Sequence, residues 1–399
     1  MRVLHIITGL DAGGAEQQLR LLLRRLPVRC DVVSLTGVGT VGPGIRADGT
    51  PVTALGPAGP RDLPALPRLV RLIRAGGYDL VHTHLFRACV LGRTAARLAG
   101  VRAVVATEHS LGGTRPEGHP HTLRARAAYL ASERLGSATV AVSATVADRL
   151  RAWGVPSGRV HLIPYGIDAD HFRFDPGLRA AARKRLGLAE REFVIGAVGR
   201  LAPGKRYDLL LRAVAEVPGA RLLLVGDGPE RHRLHTLAYG LQVAERVRLL
   251  GERDGVVETA GDRPADIPGL LAAMDLFVSP SPEEVFGLAV LEALAAGLPV
   301  LHAHCPALDE LPAEAAPGAR RIAPDAARLA AALREHAAAG GGRRLPVPAA
   351  VERYAVSRAA RRLMALYDHT ARHGTDGCAR GPAPAPGQRP FPALLDPRR

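Results

Sequence analysis

With 399 residues, 47% apolar but only 4% aromatic, the chain can fill two ordinary cores yet lacks rings for a nucleic-acid or glycan stacking platform. The charge of +15 has two readings: a basic face for nucleic acid or an anionic membrane, or compositional bias, since 53 cations include only two lysines, Lys184 and Lys205. Cys30, Cys89, Cys305 and Cys378 lie far apart without metal-like spacing, which argues against structural zinc and a disulfide framework and fits a reducing, cytoplasmic compartment.

The amino-terminal MRVLHIITGLDAGG turns glycine-rich too early for a secretory signal. The longest apolar stretch, VFGLAVLEALAAGLPVL, is short and interrupted by Glu292, Gly297 and Pro299, so it does not read as a membrane span. From the start, short β-branched runs alternate with Leu/Ala-rich helical runs. That is the pattern of parallel sheets with crossover helices. Strands are expected at VLHII, CDVVSL, DLVHTH, AVVAT, ATVAVS and VHLIP. Between the first two, EQQLRLLLRRL places Leu19, Leu22, Leu23 and Leu26 on one helical face. The polar, irregular stretch from Pro164 to about Gly187 predicts an interdomain connection. The pattern then restarts, with strands at FVIGAV, RLLLVG, VRLLG, DLFVSP and PVLH and helices at YDLLLRAVAEV, ERHRLHTLAYG and GLAVLEALAAG.

The expected organisation is an α/β chain of two Rossmann-like domains, residues 1–165 and 166–348, facing each other across a deep cleft. A carboxyl-terminal helix, 349–372, is expected to pack back on the first domain, and the Gly/Pro-rich tail 373–399 to be disordered.

Three loops carry chemistry. GLDAGGAEQQ follows the first strand, where Gly13 and Gly14 let backbone approach a ligand and the next helix offers free amides to a phosphate. An ordinary strand–helix turn would look much the same. VGRLAPGKRYDLLLRA opens the second half and puts Arg200 and Lys205 at a strand's carboxyl end, where two cations can clamp a diphosphate. Surface cations are common, but this loop holds one of only two lysines. In SPEEVFGLAVLEALAAGLPV, Glu284 precedes a helix start whose amides at Phe286, Gly287, Leu288 and Ala289 lack helical partners. Glu292 lies further along that apolar helix. A buried carboxylate needs partners, and ribose hydroxyls or a core arginine would supply them.

Taken in order, GGAE at 13–16, VHTHLF at 81–86, TEHS at 107–110, VSATVADRL at 142–150, PYGID at 164–168, VGRLAPGK at 198–205, LVGDGPER at 224–231 and the Glu284–Glu292 pair resemble glycosyltransferase family 4, retaining enzymes of GT-B architecture. The resemblance covers roughly residues 1–370. It implies that Arg200 and Lys205 neutralise the donor diphosphate, Glu292 binds its ribose and Glu284 lies near the transferred sugar. Gly14 would bring the amino-terminal loop to the phosphates, and Glu16 would shape that loop on the acceptor side. His109, otherwise one of fifteen histidines, would face the sugar across the cleft. The family reacts by same-face attack with help from the leaving phosphate, and needs neither metal nor cofactor. The D-x-D metal signature of the other major glycosyltransferase architecture is read as absent.

The sequence departs from the family in three places. Pro306 and Ala307 replace the glycine pair before Glu310, residues 255–265 carry extra length, and Tyr165 stands where Asn is common and Tyr a familiar alternative. The implied partners are a nucleotide-diphosphate sugar, UDP- or GDP-linked, and a saccharide, lipid-linked or small-molecule acceptor. Arg-rich RACVLGRTAARLAG and HTLRARAAYLASERLG suggest peripheral contact with an anionic membrane. No nucleic-acid partner is expected. The competing readings are a sugar-nucleotide 2-epimerase, which would lack the GGAE loop, and a silent scaffold, which would have lost Arg200, Lys205 or Glu292.

Overall fold

The computed structural model describes residues 1–11, 13–56, 65–109, 122–253 and 266–374. The first sheet contains β1 (Arg2–Ile7), β2 (Arg29–Ser34), β3 (Val52–Ala54), β4 (Leu80–His84), β5 (Ala103–Glu108), β6 (Ala138–Ala141) and β7 (Val160–Leu162). All pairings are parallel, in the order β3-β2-β1-β4-β5-β6-β7. Val3, Leu4, Ile6 and Ile7 are all fully buried, so both faces of β1 are covered, as a central parallel strand requires. The chain leaves β1 in one direction through β2 and β3, then returns to β1's other side with β4. A crevice therefore opens at the carboxyl end of β1, and the GGAE loop runs into it.

The second sheet repeats the plan with β8 (Val194–Val198), β9 (Arg221–Val225), β10 (Val247–Leu249), β11 (Leu276–Ser279), β12 (Val300–His302) and β13 (Ala319–Arg321). Its order is β10-β9-β8-β11-β12-β13, with its switch point between β8 and β11. The loops bearing Arg200, Lys205 and Glu284 leave those two strands, which brings residues distant in sequence to one crevice. Two short edge strands, β3 and β13, escape the periodicity reading. β3 buries only Val52 and β13 buries nothing, so neither carries an apolar repeat.

The chain crosses between the sheets twice, side by side. The Ile167 amide donates to the Tyr354 carbonyl at 2.7 Å, and the Val356 amide donates to the Ile167 carbonyl at 2.9 Å. Gly166 makes this approach possible, because a Cβ there would sit 2.4 Å from the Val356 Cα. Beyond the outward crossing, helix Pro176–Arg185 is anchored to the second domain. Arg179 and Arg183 grip the two oxygens of buried Asp275 at 3.0 and 2.7 Å, and the Val194 amide reaches the same carboxylate at 2.8 Å. Beyond the return crossing, helix Val356–His373 lays Ala360, Leu363, Leu366 and Tyr367 on the first sheet against Val3, Leu80, Ala103 and Val105. The extra-length segment and the tail beyond Gly374 lie outside the described residues.

Candidate active site

Each domain brings a helix start to the crevice. Gly13 caps helix Gly14–Leu23 in extended conformation, and the Glu16 carboxylate folds back over it, 2.3 Å from where a Gly13 Cβ would stand. Across the gap, helix Leu288–Ala295 begins at Gly287, whose φ of 102° lies in the left-handed region. A Cβ on Gly287 would meet the Cys305 Sγ at 2.4 Å, so both conformation and space demand glycine. A Cβ on Gly14 would lie 3.6 Å from the Leu288 Cδ1, so the two helix starts face each other closely enough to enclose a phosphate chain.

The charged groups gather around the second helix start. Ser281 Oγ donates to the carbonyls of Gly204 and Glu283, both at 3.1 Å, which ties the loop after β8 to the loop after β11. Lys205 Nζ then reaches Glu284 Oε1 at 2.6 Å. The sequence reading treats these two as separate ligand contacts, and the structure pairs them. An ammonium has three N–H donors, so Lys205 can hold Glu284 and still offer two to a diphosphate. Arg200 is exposed at the crevice and makes no ion pair among the described residues.

Glu292 is half-buried, and its carboxylate has no hydrogen-bond or ion-pair partner among the described residues. The core-arginine alternative therefore finds no support. Crowding by apolar neighbours pushes the carboxyl up to about 7. A ligand that donates hydroxyl hydrogens would relieve that cost.

His109, just past β5, is buried and uses both ring nitrogens inside the protein. Nδ1 lies 2.5 Å from the Tyr165 hydroxyl and Nε2 lies 3.1 Å from His84 Nδ1. In this conformation it supports the crevice wall rather than offering a free nitrogen to a sugar. Burial pushes its imidazolium down to about 3, so the ring is neutral at physiological pH. His5, His82 and His84 line the same sheet face, and ligand atoms of the three approach within 4.8 Å. Both nitrogens of His82 are engaged, with the Tyr367 hydroxyl at 2.5 Å and Thr107 Oγ1 at 2.7 Å, and among the described residues no carboxylate joins the trio. These contacts favour a hydrogen-bonded cluster over a cation site.

Two sequence expectations need correction. A literal D-x-D does occur at Asp168 and Asp170, but it lies at the crossing. Asp168 pairs with Arg25 at 2.7 Å, and Asp170, largely in solvent, pairs with Arg173 at 2.9 Å. The first Arg-rich segment is not a continuous basic surface, because Arg93 is fully buried beneath helix Phe86–Leu98. There it donates to Thr139 Oγ1 at 2.9 Å and lies over the Tyr129 ring. The second, helix Leu123–Glu133, does expose Leu123, Arg124 and Arg126.

Two Rossmann-like domains with opposed helix starts and a cationic loop at the second switch point define the GT-B class. Residues 12–171 match the family described as Glycosyltransferase Family 4, and residues 179–339 match Glycosyl transferases group 1. The D-inositol 3-phosphate glycosyltransferase 1 of Catenulispora acidiphila is 34% identical over 331 residues, covering 74% of this chain and 75% of that protein. The Escherichia coli UDP-Gal:alpha-D-GlcNAc-diphosphoundecaprenol alpha-1,3-galactosyltransferase is 30% identical over 254 residues, 60% of this chain and 62% of that one. In other relatives the match spans little more than half their length, 54% for the inositol phosphate enzyme of Salinispora arenicola. Anabaena HepE in complex with UDP-glucose has the same fold, with a TM-score of 0.74 at 23% identity over 91% of this chain and 98% of that one. The chain belongs to the group 1 glycosyltransferases.

Proposed function

We propose that the chain is a retaining, metal-independent hexosyltransferase. It moves a sugar from a UDP- or GDP-sugar to a saccharide, lipid-linked or small-molecule acceptor. The observation that carries this reading is the Glu292 carboxylate, unpartnered among the described residues, on the same helix whose start is flanked by the Lys205–Glu284 pair.

The donor's ribose hydroxyls donate to Glu292 and its diphosphate lies between Arg200, Lys205 and the amides at Phe286, Gly287, Leu288 and Ala289. Gly14 closes over the phosphates from the other domain. Glu284, oriented by Lys205, presents its remaining oxygen to a sugar hydroxyl. As the glycosidic bond breaks, negative charge grows on the phosphate, and the cations and helix starts stabilise it without reorganising. The acceptor hydroxyl attacks from the same face and passes its proton to the departing phosphate. The protein's contribution is then positioning and electrostatics rather than a covalent nucleophile. His109 supports the sugar side of the crevice and, with Glu16, borders the acceptor.

The relatives named for inositol 3-phosphate and for a diphosphoundecaprenol saccharide support an acceptor that carries phosphate. The exposed Leu123, Arg124 and Arg126 on helix Leu123–Glu133 support peripheral contact with an anionic membrane on the cytoplasmic side, where a lipid-linked acceptor would be presented. Among the described residues no helix is long and apolar enough to cross a membrane.

The test is a donor screen by thermal shift with UDP, GDP, ADP and dTDP sugars, followed by transfer assays of Arg200→Ala and Lys205→Ala. Each variant should lose at least about tenfold in affinity or rate, roughly 1.4 kcal/mol. Product NMR should show the donor's anomeric configuration retained. Wild-type behaviour of both variants would dismiss the diphosphate clamp, and inversion would dismiss the same-face mechanism.

A further inference from the structure

Tyr165, the residue that departs from the family's common Asn, is where the two halves of the site touch. Its hydroxyl lies 2.5 Å from His109 Nδ1 in the first domain, and its ring meets Phe286 of the donor helix start edge-on, with centroids 5.3 Å apart. The neighbouring Gly166 amide donates to Gln18 Oε1 at 3.0 Å, which pins this turn to the helix that starts at Gly14. Tyr165 also ends a buried line of imidazoles. His109 Nε2 lies 3.1 Å from His84 Nδ1, and His84 Nε2 lies 3.0 Å from His5 Nδ1. Parallel pairing creates the line. His5 sits opposite His82, and His84 opposite Thr107, so side chains of matching parity share one face under the carboxyl-terminal helix.

Neutral imidazole has one donor and one acceptor, so the line has two self-consistent proton arrangements. In one, the Tyr165 hydroxyl donates inward, each ring passes its N–H to the next, and His5 is left with an Nε2–H. That atom is buried and has no partner among the described residues. In the other, His5 donates from Nδ1 to His84, His84 donates from Nδ1 to His109, and His109 donates from Nδ1 to the Tyr165 oxygen. His5 Nε2 then holds only a lone pair, and the Tyr165 hydroxyl, which can rotate, is free to donate away from His109. An orphaned buried N–H is the rarer and costlier outcome, which selects the second arrangement.

We propose that His5 and His84 are positioning residues that fix His109 as its Nδ1–H tautomer, and that Tyr165 passes this orientation to the donor helix start through its hydroxyl and ring. This inference rests on the glycosyltransferase reading for its catalytic consequence, but the proton arrangement is measurable without turnover. The Tyr165 hydroxyl is left free to donate away from His109 at the seam between the domains. Tyr165, unlike Asn, thereby provides a mechanical link between the acceptor-side wall and the phosphate-binding loop.

The experiment is long-range nitrogen–proton NMR on the full chain labelled at histidine nitrogen, for wild type, His5→Asp, His5→Asn and Tyr165→Phe, with zinc measured by elemental analysis. Wild-type His109 should show a protonated Nδ1 and a bare Nε2. His5→Asp, whose carboxylate can only accept from His84 Nε2–H and so reverses the line, and Tyr165→Phe should shift it towards Nε2–H and lower kcat at least about tenfold, with donor KM within about threefold. His5→Asn keeps an N–H donor near the Nδ1 position and should restore both signals. If His5→Asp fails to fold, Tyr165→Phe supplies the same readout. An Nε2–H tautomer in wild type, a tautomer unmoved by the variants, or equimolar bound zinc would overturn the arrangement. A tautomer shift with unchanged kcat would overturn the positioning role while leaving the glycosyltransferase reading intact.

Discussion

Replacing Glu292 with Gln should stabilise the protein and weaken donor binding, and the two effects should depend on pH in a defined way. The native carboxyl is raised by burial to about 7 from an ordinary 4.5. An acid raised on folding is not penalised below its unfolded value, where both states are protonated. As pH rises from 4.5 towards 7, the unfolded chain releases the proton and the native state does not, so native stability falls; above 7 the loss is complete. The difference of 7 − 4.5 corresponds to about 3 kcal/mol at pH 8, and the same linkage gives only about 1 kcal/mol at pH 5. Glu292→Gln removes the charge and keeps the shape. Its urea midpoint should therefore exceed wild type clearly at pH 8 and little at pH 5, with unchanged slope. Calorimetric titration with the donor diphosphate should show at least about tenfold weaker binding, because an amide presents one acceptor oxygen where the carboxylate presents two. In wild type, affinity should increase as pH rises through 7, since hydroxyl donors favour the ionised form, and this dependence should vanish in the variant. Equal stability changes at both pH values, or destabilisation at pH 8, would refute the reasoning.

Gly287→Ala should misplace the donor helix start, given the positive φ and the nearby Cys305 sulfur, and weaken nucleotide-sugar binding by more than about tenfold. Thermal shift with donor checks this, and undiminished binding would show that the start tolerates a side chain. Transfer should survive EDTA, because in the proposed mechanism cations and helix starts carry the phosphate charge; abolition by EDTA with rescue by Mg²⁺ or Mn²⁺ would overturn that metal-free mechanism. Sedimentation with anionic vesicles should fall steeply with salt and with Arg124→Glu/Arg126→Glu, both residues being exposed. Equal partitioning onto neutral and anionic vesicles would return the net charge to composition. His109→Ala should lower kcat strongly while nucleoside diphosphate affinity stays within about threefold; a lower melting temperature with normal turnover would leave His109 a purely structural residue.

Local pattern made the principal strands and the two-domain plan legible, and it marked the loops that reach the crevice. Periodicity reports burial along one strand or helix, whereas a glycine-rich loop after a strand also fits an ordinary turn. The strands β3 and β13 were silent because edge strands bury too little to print an apolar repeat. The Asp168-x-Asp170 pair shows the opposite failure, in which a motif's letters occur with all their partners in structural ion pairs.

Residue pattern alone located the segments that wall the crevice and singled out Arg200, Lys205, Glu284 and Glu292, while His109 stood out through the family resemblance. What those groups touch was set by tertiary packing. Lys205 meets Glu284 because the loops after β8 and β11 share a switch point. Arg93 is withdrawn from the surface by the packing of its helix on Tyr129. His5, His84, His109 and Tyr165 become one line only because parallel register stacks residues separated by 79, 25 and 56 positions onto a single sheet face and its adjoining turn. Spacing along the chain encodes contacts within a helix or strand, whereas contacts between strands depend on which strand lies beside which, and that is set by the collapse of the whole sheet.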